Sequence, residues 1–239
     1  MEDIKKRFEE LYNRSYNRSY TVFTDFLNMD EQSTLVQMNL PCKAFGGFEQ
    51  AQRVVAGFGE DVEEKDFPIV CVCVCPVMQK FADELTHRDF LGALMNLGIK
   101  REMLGDIIVE GNTGYVFCLE QISEYIADNL NRVRHTSVRC EILAQAPDCV
   151  SKPPQPLEVF VPSCRADAVI SAVYKLSRNE ASRLFTSKKI YINSVLCENT
   201  SYTLKENDIV SVRGFGKFVF SSIVRKTKKD RLVAAVGKY

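Results

Sequence analysis

No run of apolar residues in this 239-residue chain approaches the roughly 18 needed to cross a membrane, so no span is expected. Histidine occurs twice, at His87 and His135, and neither stands among cysteines or carboxylates at metal-ligand spacing. The glycines of Phe45-Gly46-Gly47-Phe48 are not followed by Lys-Ser or Lys-Thr, which excludes a phosphate loop. Thr86-His87-Arg88-Asp89 reads as a helix cap with a polar first turn, and no nucleophile or cofactor motif accompanies it. No catalytic residue, cofactor or metal is therefore expected. The first residues, Met1 to Phe8, hold no apolar signal-peptide core, which makes a cytoplasmic location the expectation.

Net charge is also lacking, with 31 basic against 31 acidic residues, but the balance hides a split. Residues 161–239 carry 15 Lys and Arg against 6 Asp and Glu, a net +9, and residues 1–160 carry the compensating −9. Such asymmetry points to a polyanion-binding end, although a solvated basic surface would give the same count. Phosphate binding there would release counterions and depend steeply on salt.

What is present includes nine cysteines. Cys71, Cys73 and Cys75 alternate within Phe67-Pro-Ile-Val-Cys-Val-Cys-Val-Cys-Pro76, so in a strand they share one face. Zinc sites space their cysteines differently, and buried cysteine packs as a small apolar residue, so the trio is expected in a core. The other six are scattered, and an odd total suits a reducing compartment.

Periodicity predicts a helix over 1–20, a second opening at Asp30-Glu-Gln-Ser33, and helix again over 50–58. From 68 to 143 the order is strand, helix, strand, turn at Gly111-Asn112, strand, helix, strand, the split βαβ plan of ferredoxin-like and RNA-recognition folds. Tyr115 and Phe117 share a face of one central strand, where they serve either base stacking or ordinary packing. The prolines at 147, 153, 154, 156 and 162 read as a stiff linker or edge segment. Four parts follow: a helical N-terminal subdomain over 1–62, a ferredoxin-like middle domain over 63–145, a linker over 146–162, and a basic domain over 163–239. The fold class is α+β.

The last part carries the motifs. Arg165-Ala-Asp167 precedes one short helix, and Lys175-Leu-Ser177-Arg178-Asn-Glu180 opens another, with Ser177 and Glu180 at capping-box spacing. Arg183, Lys188-Lys189, Tyr191-Ile-Asn193-Ser194 and Gly214-Phe-Gly216-Lys217-Phe218 follow. The set resembles an S4 domain of the αL type, a small RNA-binding module, with Ser194 where that family has glycine after the turn asparagine. Upstream, Phe45-Gly46-Gly47-Phe48, Thr86 to Gly92 and Gly98-Ile-Lys100-Arg101-Glu102-x-x-Gly105-Asp106-Ile107 are similar to the YlmH family of bacterial S4 proteins. So is the ending Thr227-Lys228-Lys229-x-Arg231, while Gln52 departs from the family by replacing an acidic residue.

That resemblance implies a non-enzymatic, cytoplasmic RNA-binding protein. It would act on stalled large ribosomal subunits carrying peptidyl-tRNA, in ribosome-associated quality control. Its partners would be rRNA and tRNA, with a quality-control tailing factor, and it would be a monomer. A link to cell division is also associated with the family. The RNA-contacting set becomes Arg165, Lys175, Arg178, Arg183, Lys188, Lys189, Asn193 and Lys217. Asp167 would cap the first helix or orient Arg165, Asn193 has an alternative role as a turn residue, and Arg88, Lys100 and Arg101 form a second candidate contact. Two other readings stay open: an RNA-modifying enzyme using S4 as its grip, for which no catalytic motif is legible, and a cell-division adaptor using the acidic half.

Overall fold

The computed structural model describes residues 2–151, 153–227 and 231–239, so Lys228 and Lys229 of the basic tail lie outside the described residues. The chain is a mixed α/β protein of two units: Met1–Glu31 with Met38–Ser151, and Gln32–Gln37 with Lys152–Tyr239.

In the first unit, helix α1 (Glu2–Arg18) buries Phe8 and, through Ser15 Oγ, donates to the Phe58 carbonyl at 2.9 Å. Strands β1 (Val22–Phe23), β2 (Lys43–Phe45) and β3 (Val55–Phe58) follow and pair in the order β1-β3-β2; helix α2 (Met29–Met38) starts in this unit, but its residues Gln32–Gln37 belong to the second. Residues 50–58 are therefore not helical. Val55 to Phe58 are buried throughout, and a short apolar run without alternation does not tell strand from helix.

The larger sheet of this unit holds β4 (Ile69–Pro76), β5 (Leu104–Glu110), β6 (Thr113–Leu119), β7 (Arg132–Val133) and β8 (Thr136–Leu143), all antiparallel, in the order β5-β6-β4-β8-β7. Helices α3 (His87–Asn96) and α4 (Ser123–Asn129) supply Phe90, Leu94 and Ile126 to a core against Val72, Val74 and Val116. At α3 the Thr86–Asp89 capping box is formed, which accounts for the polar start of that helix. The opposite sheet face holds Cys71 and Phe117 in a second core with Phe26, Phe48, Val55 and Phe67. The alternation holds for Val72 and Val74, which face the helices, but of the cysteine trio expected in a core only Cys71 is buried, against its register partner Phe117; Cys73 and Cys75 are half-buried.

In the second unit, strand β9 (Gln155–Val161) leads to helices α5 (Ala166–Tyr174) and α6 (Arg178–Thr186), then β10 (Ile190–Ile192), β11 (Val195–Leu196), β12 (Asp208–Val212), β13 (Gly216–Lys226) and β14 (Leu232–Lys238). The sheet order is β11-β10-β12-β13-β14-β9. The segment expected as a stiff linker or edge segment, 146–162, contains an edge strand: its residues Gln155–Val161 pair with β14. Its Pro156 is tolerated because β9 is an edge, where a missing N–H breaks no ladder. Helices α5 and α6 bury Val169, Ile170, Val173, Ala181 and Phe185 with Ile190, Val210, Phe218 and Ala234. Within this unit Ser33 Oγ accepts from the Leu196 N–H at 2.9 Å.

The hairpin between β10 and β11 turns on Asn193 and Ser194, with φ of 50° and 66°. Two consecutive left-handed residues make the type I′ turn that suits a two-residue hairpin. Serine there carries a steric cost that glycine does not. Ser194→Gly should therefore raise the stability of the protein by about 1 kcal/mol, read as a higher midpoint in thermal or urea denaturation.

Candidate nucleic-acid interface

Most of the expected basic set stands exposed on the α5–α6 pair and the turns around it. Arg165 caps α5 and is exposed; its Nε and Nη2 donate to the two Asp167 carboxylate oxygens at 3.0 and 2.8 Å. The carboxylate raises the guanidinium pKa further and holds the planar fork in one orientation, with its side chain 46% exposed. Asp167 thus orients Arg165. Lys175 is exposed at the C-cap of α5 in the left-handed region, φ 54°. Lys188, just beyond α6, is also left-handed, φ 55°, and makes a 3.6 Å ion pair with Glu198 in which both side chains are well over half exposed. Such a pair contributes little.

Helix α6 begins with the expected capping box. Ser177 Oγ accepts from the Glu180 N–H at 3.2 Å, and Glu180 Oε2 accepts from the Ser177 N–H at 2.8 Å. Those bonds hold the Glu180 carboxyl below its ordinary value. Arg178 follows the cap, exposed, at the positive end of the helix dipole. A cation gains nothing from the fold at that position. Arg183 and Lys189 are exposed on the last turn of α6 and the approach to β10. Arg165 and Arg178 open successive helices, so the nine residues of α5, about 13 Å of helix, lie between them along the chain.

Three expected contact residues are engaged otherwise. Asn193 Nδ2 donates to Asp208 at 2.8 Å and its Oδ1 accepts from the Ile209 N–H at 2.9 Å, so this side chain serves its turn. Lys217 is half-buried, with Nζ 4.7 Å from the centre of the Tyr239 ring. Arg101 is half-buried in the first unit and donates from Nη1 to the Leu104 and Gly105 carbonyls at 2.7 and 3.1 Å. Burial first, then the neighbouring Arg53, pulls its pKa down to about 10. Arg53 does similar work, donating to the Leu104 and Phe26 carbonyls at 2.9 Å each. Gln52 contributes its backbone N–H to Asp106, a bond that any residue except proline could make. Of the second candidate set, Arg88 and Lys100 are exposed.

The sheet face carrying Tyr115 and Phe117 is covered. Phe117 is 1% exposed, and the Phe48 ring lies 4.8 Å from it. Gly47, at φ 94°, lets the backbone pass against that ring, where a Cβ would run into it. Tyr115 is half-buried, and its hydroxyl is tied to Cys149, which pushes its pKa up to about 12. Packing, not base stacking, occupies these aromatics. Residues 63–146 are also acidic, with 8 Lys and Arg against 13 Asp and Glu.

Sequence reasoning overlooked a group around the turn from β12 to β13. Arg213 Nη2 donates to the Tyr191 hydroxyl at 3.0 Å. Phe215 is 43% exposed between Gly214 and Gly216, and the Tyr174 ring lies 5.5 Å from it. Lys238 Nζ stands 5.1 Å from the centre of that tyrosine ring. An exposed aromatic between two glycines was the available signal. Among the described residues no cluster of His, Cys, Asp and Glu is placed to hold a metal, and all nine cysteines are free.

Comparison with known proteins points to RNA through the first unit and says nothing of the α5–α6 cations. Residues 63–146 match a family model described as "Putative RNA-binding domain in YlmH". Over 221 residues, covering 87% of this chain and 83% of the relative, the sequence is 30% identical to ribosome-associated protein quality control protein P2 of Bacillus subtilis (strain 168). Among solved structures, cell division protein ylmH from Streptococcus pneumoniae shares the fold with a TM-score of 0.50 at 24% identity, over 62% of this chain and 92% of that one.

Proposed function

The chain belongs to the YlmH family, and from that premise we propose that it binds RNA on the ribosome through the α5–α6 face of its second unit. The observation that carries this reading is that Arg165, Lys175, Arg178, Arg183, Lys188 and Lys189 are all exposed on α5, α6 and their flanking turns, in the +9 part of a chain whose total charge is zero. Arginine forks match phosphate oxygens two at a time, and lysines add point charge. Lys175 and Lys188 occupy left-handed positions that cost a glycine nothing, and Arg178 opposes its helix dipole. Local stability selects none of these placements, and a polyanion surface accounts for all three.

In this reading residues 163–239 form an S4 module, extended at its edge by β9. Residues 69–143 form a ferredoxin-like plan, supported by the order β5-β6-β4-β8 with α3 and α4 on one face. The protein acts in the cytoplasm as a non-enzymatic monomer. It holds rRNA and peptidyl-tRNA together on large subunits whose nascent chains have stalled, where a tailing factor extends them. Arg88 and Lys100 of the first unit offer a weaker, second contact.

The salt dependence of co-sedimentation with purified large ribosomal subunits tests the phosphate-contact basis. If four to six phosphates are neutralised, affinity should fall by roughly a hundredfold or more between about 50 and 200 mM salt. Binding that ignores salt over this range would contradict the reading.

A further inference from the structure

The turn joining β12 to β13 is built for something other than chain reversal. Val212 accepts the Phe215 N–H at 2.9 Å, closing a tight turn. Gly214 and Gly216 both have positive φ, 91° and 108°. A Cβ at Gly214 would meet nothing within 4 Å. Two glycines thus hold up one aromatic side chain, Phe215, which is 43% exposed.

Beneath it lies Tyr174, its ring 5.5 Å from Phe215 at 55° and 6.1 Å from Phe218 at 60°. That packing holds Phe215 against the sheet end while 43% of the residue stays exposed. Lys238 Nζ stands over the Tyr174 ring at 5.1 Å, Lys217 over Tyr239 at 4.7 Å, and Arg213 over Tyr191 at 5.5 Å. Among the described residues, the Tyr174 hydroxyl is the single buried side-chain nitrogen or oxygen without a hydrogen-bond partner. It lies 4.0 Å from where a Gly216 Cβ would stand, an ordinary contact distance, so it is the positive φ of 108° that calls for glycine there. Tyr174 also ends α5, directly before Lys175 and three residues short of the α6 cap.

We propose that Phe215, backed by Tyr174 with Lys238 over that tyrosine ring and Lys175 following it in the chain, is a stacking platform for one unpaired base of the bound RNA. Aromatic faces take any base, and cations beside the ring hold the adjoining phosphate. Proteins recognise RNA chiefly at such unstacked nucleotides. The proposal rests on the RNA-binding reading of the α5–α6 face and specifies its ligand: a helix carrying a bulged or looped-out nucleotide, with its phosphates on Lys175 and Arg178.

The test uses the full chain and two RNA hairpins, one perfectly paired and one with a single bulged 2-aminopurine. Wild-type protein should bind the bulged hairpin more tightly and quench its fluorescence. Phe215→Ala should lose the quench and bind the bulged hairpin roughly 5- to 100-fold more weakly, with the paired hairpin unaffected. Phe215→Tyr should restore both, and Phe215→Leu, which keeps an apolar side chain at the turn, should not. Equal binding of both hairpins by wild type and Phe215→Ala, with the loss on Arg178→Ala intact, would overturn the platform and leave the arginine face standing. An unchanged quench with lost ribosome association would assign Phe215 to a protein contact and overturn it too. If wild-type protein bound neither hairpin nor ribosomal subunits, the underlying reading would fall and the platform with it.

Discussion

Phe117→Ala should lower the stability of the protein by about 3–5 kcal/mol, a large fraction of the roughly 5–15 kcal/mol that native domains have. The ring is 1% exposed, packed with Phe48 at 4.8 Å in a core that includes Phe26, Val55 and Phe67. Those partners come from the N-terminal region, which covers the sheet face that single RNA-recognition folds leave open for bases. Glycines at 47 and 105 allow this close approach, since a Cβ at either would press on Phe117 or Phe26. Truncation would leave a cavity under a rigid backbone and loosen the cover. Urea or thermal denaturation would register it directly. If Phe117 were instead a stacking residue, the variant would keep its stability and lose RNA affinity, the opposite pair of results.

The second large effect concerns binding alone. Arg178→Ala should weaken binding to large ribosomal subunits by about 10- to 100-fold, the loss of one charge-assisted phosphate contact. Lys175→Ala combined with it should deepen the loss and flatten the salt dependence by about two counterions. Neither change should destabilise the fold. Arg178 is exposed in the first turn of α6, where a cation opposes the dipole, and Lys175 is an exposed left-handed residue. Arg165→Ala should weaken binding less, because its fork is already engaged by Asp167 at 2.8 and 3.0 Å. A denaturation midpoint at or above that of wild type, together with reduced affinity, marks the residue as functional.

Local pattern made much of this legible. From β4 to β8 all but one element was readable, because most show a clear period and a stop signal, such as Gly98 after α3 and Gly111-Asn112 between β5 and β6; the last expected strand instead divides into β7 and β8 at Arg134-His135, which carry no turn signal. The Ser177–Glu180 cap was equally local. The illegible parts depend on distant residues. Val55–Phe58 is buried on both faces and shows no alternation, and the strand identity of Gln155–Val161 is set by β14, about 75 residues later. Arg101 looks in sequence like any surface cation. Its guanidinium is consumed by carbonyls of Leu104 and Gly105, a bonding pattern that no spacing rule announces. The cover over Phe117 was hidden for the same reason, since Phe26 and Phe48 lie far from it along the chain. The exposed cations of α5 and α6 were legible because surface charge needs no partner to be recognised.

The most direct measurement is sucrose-gradient sedimentation of the full-length protein in cell lysate at low and high salt, with each fraction probed for the protein and for peptidyl-tRNA. Salt-sensitive enrichment on free large subunits carrying peptidyl-tRNA, lost in the Lys175→Ala, Arg178→Ala variant, is the expected result. Absence of the wild-type protein from every ribosomal fraction, or equal binding by the variant, would contradict the account.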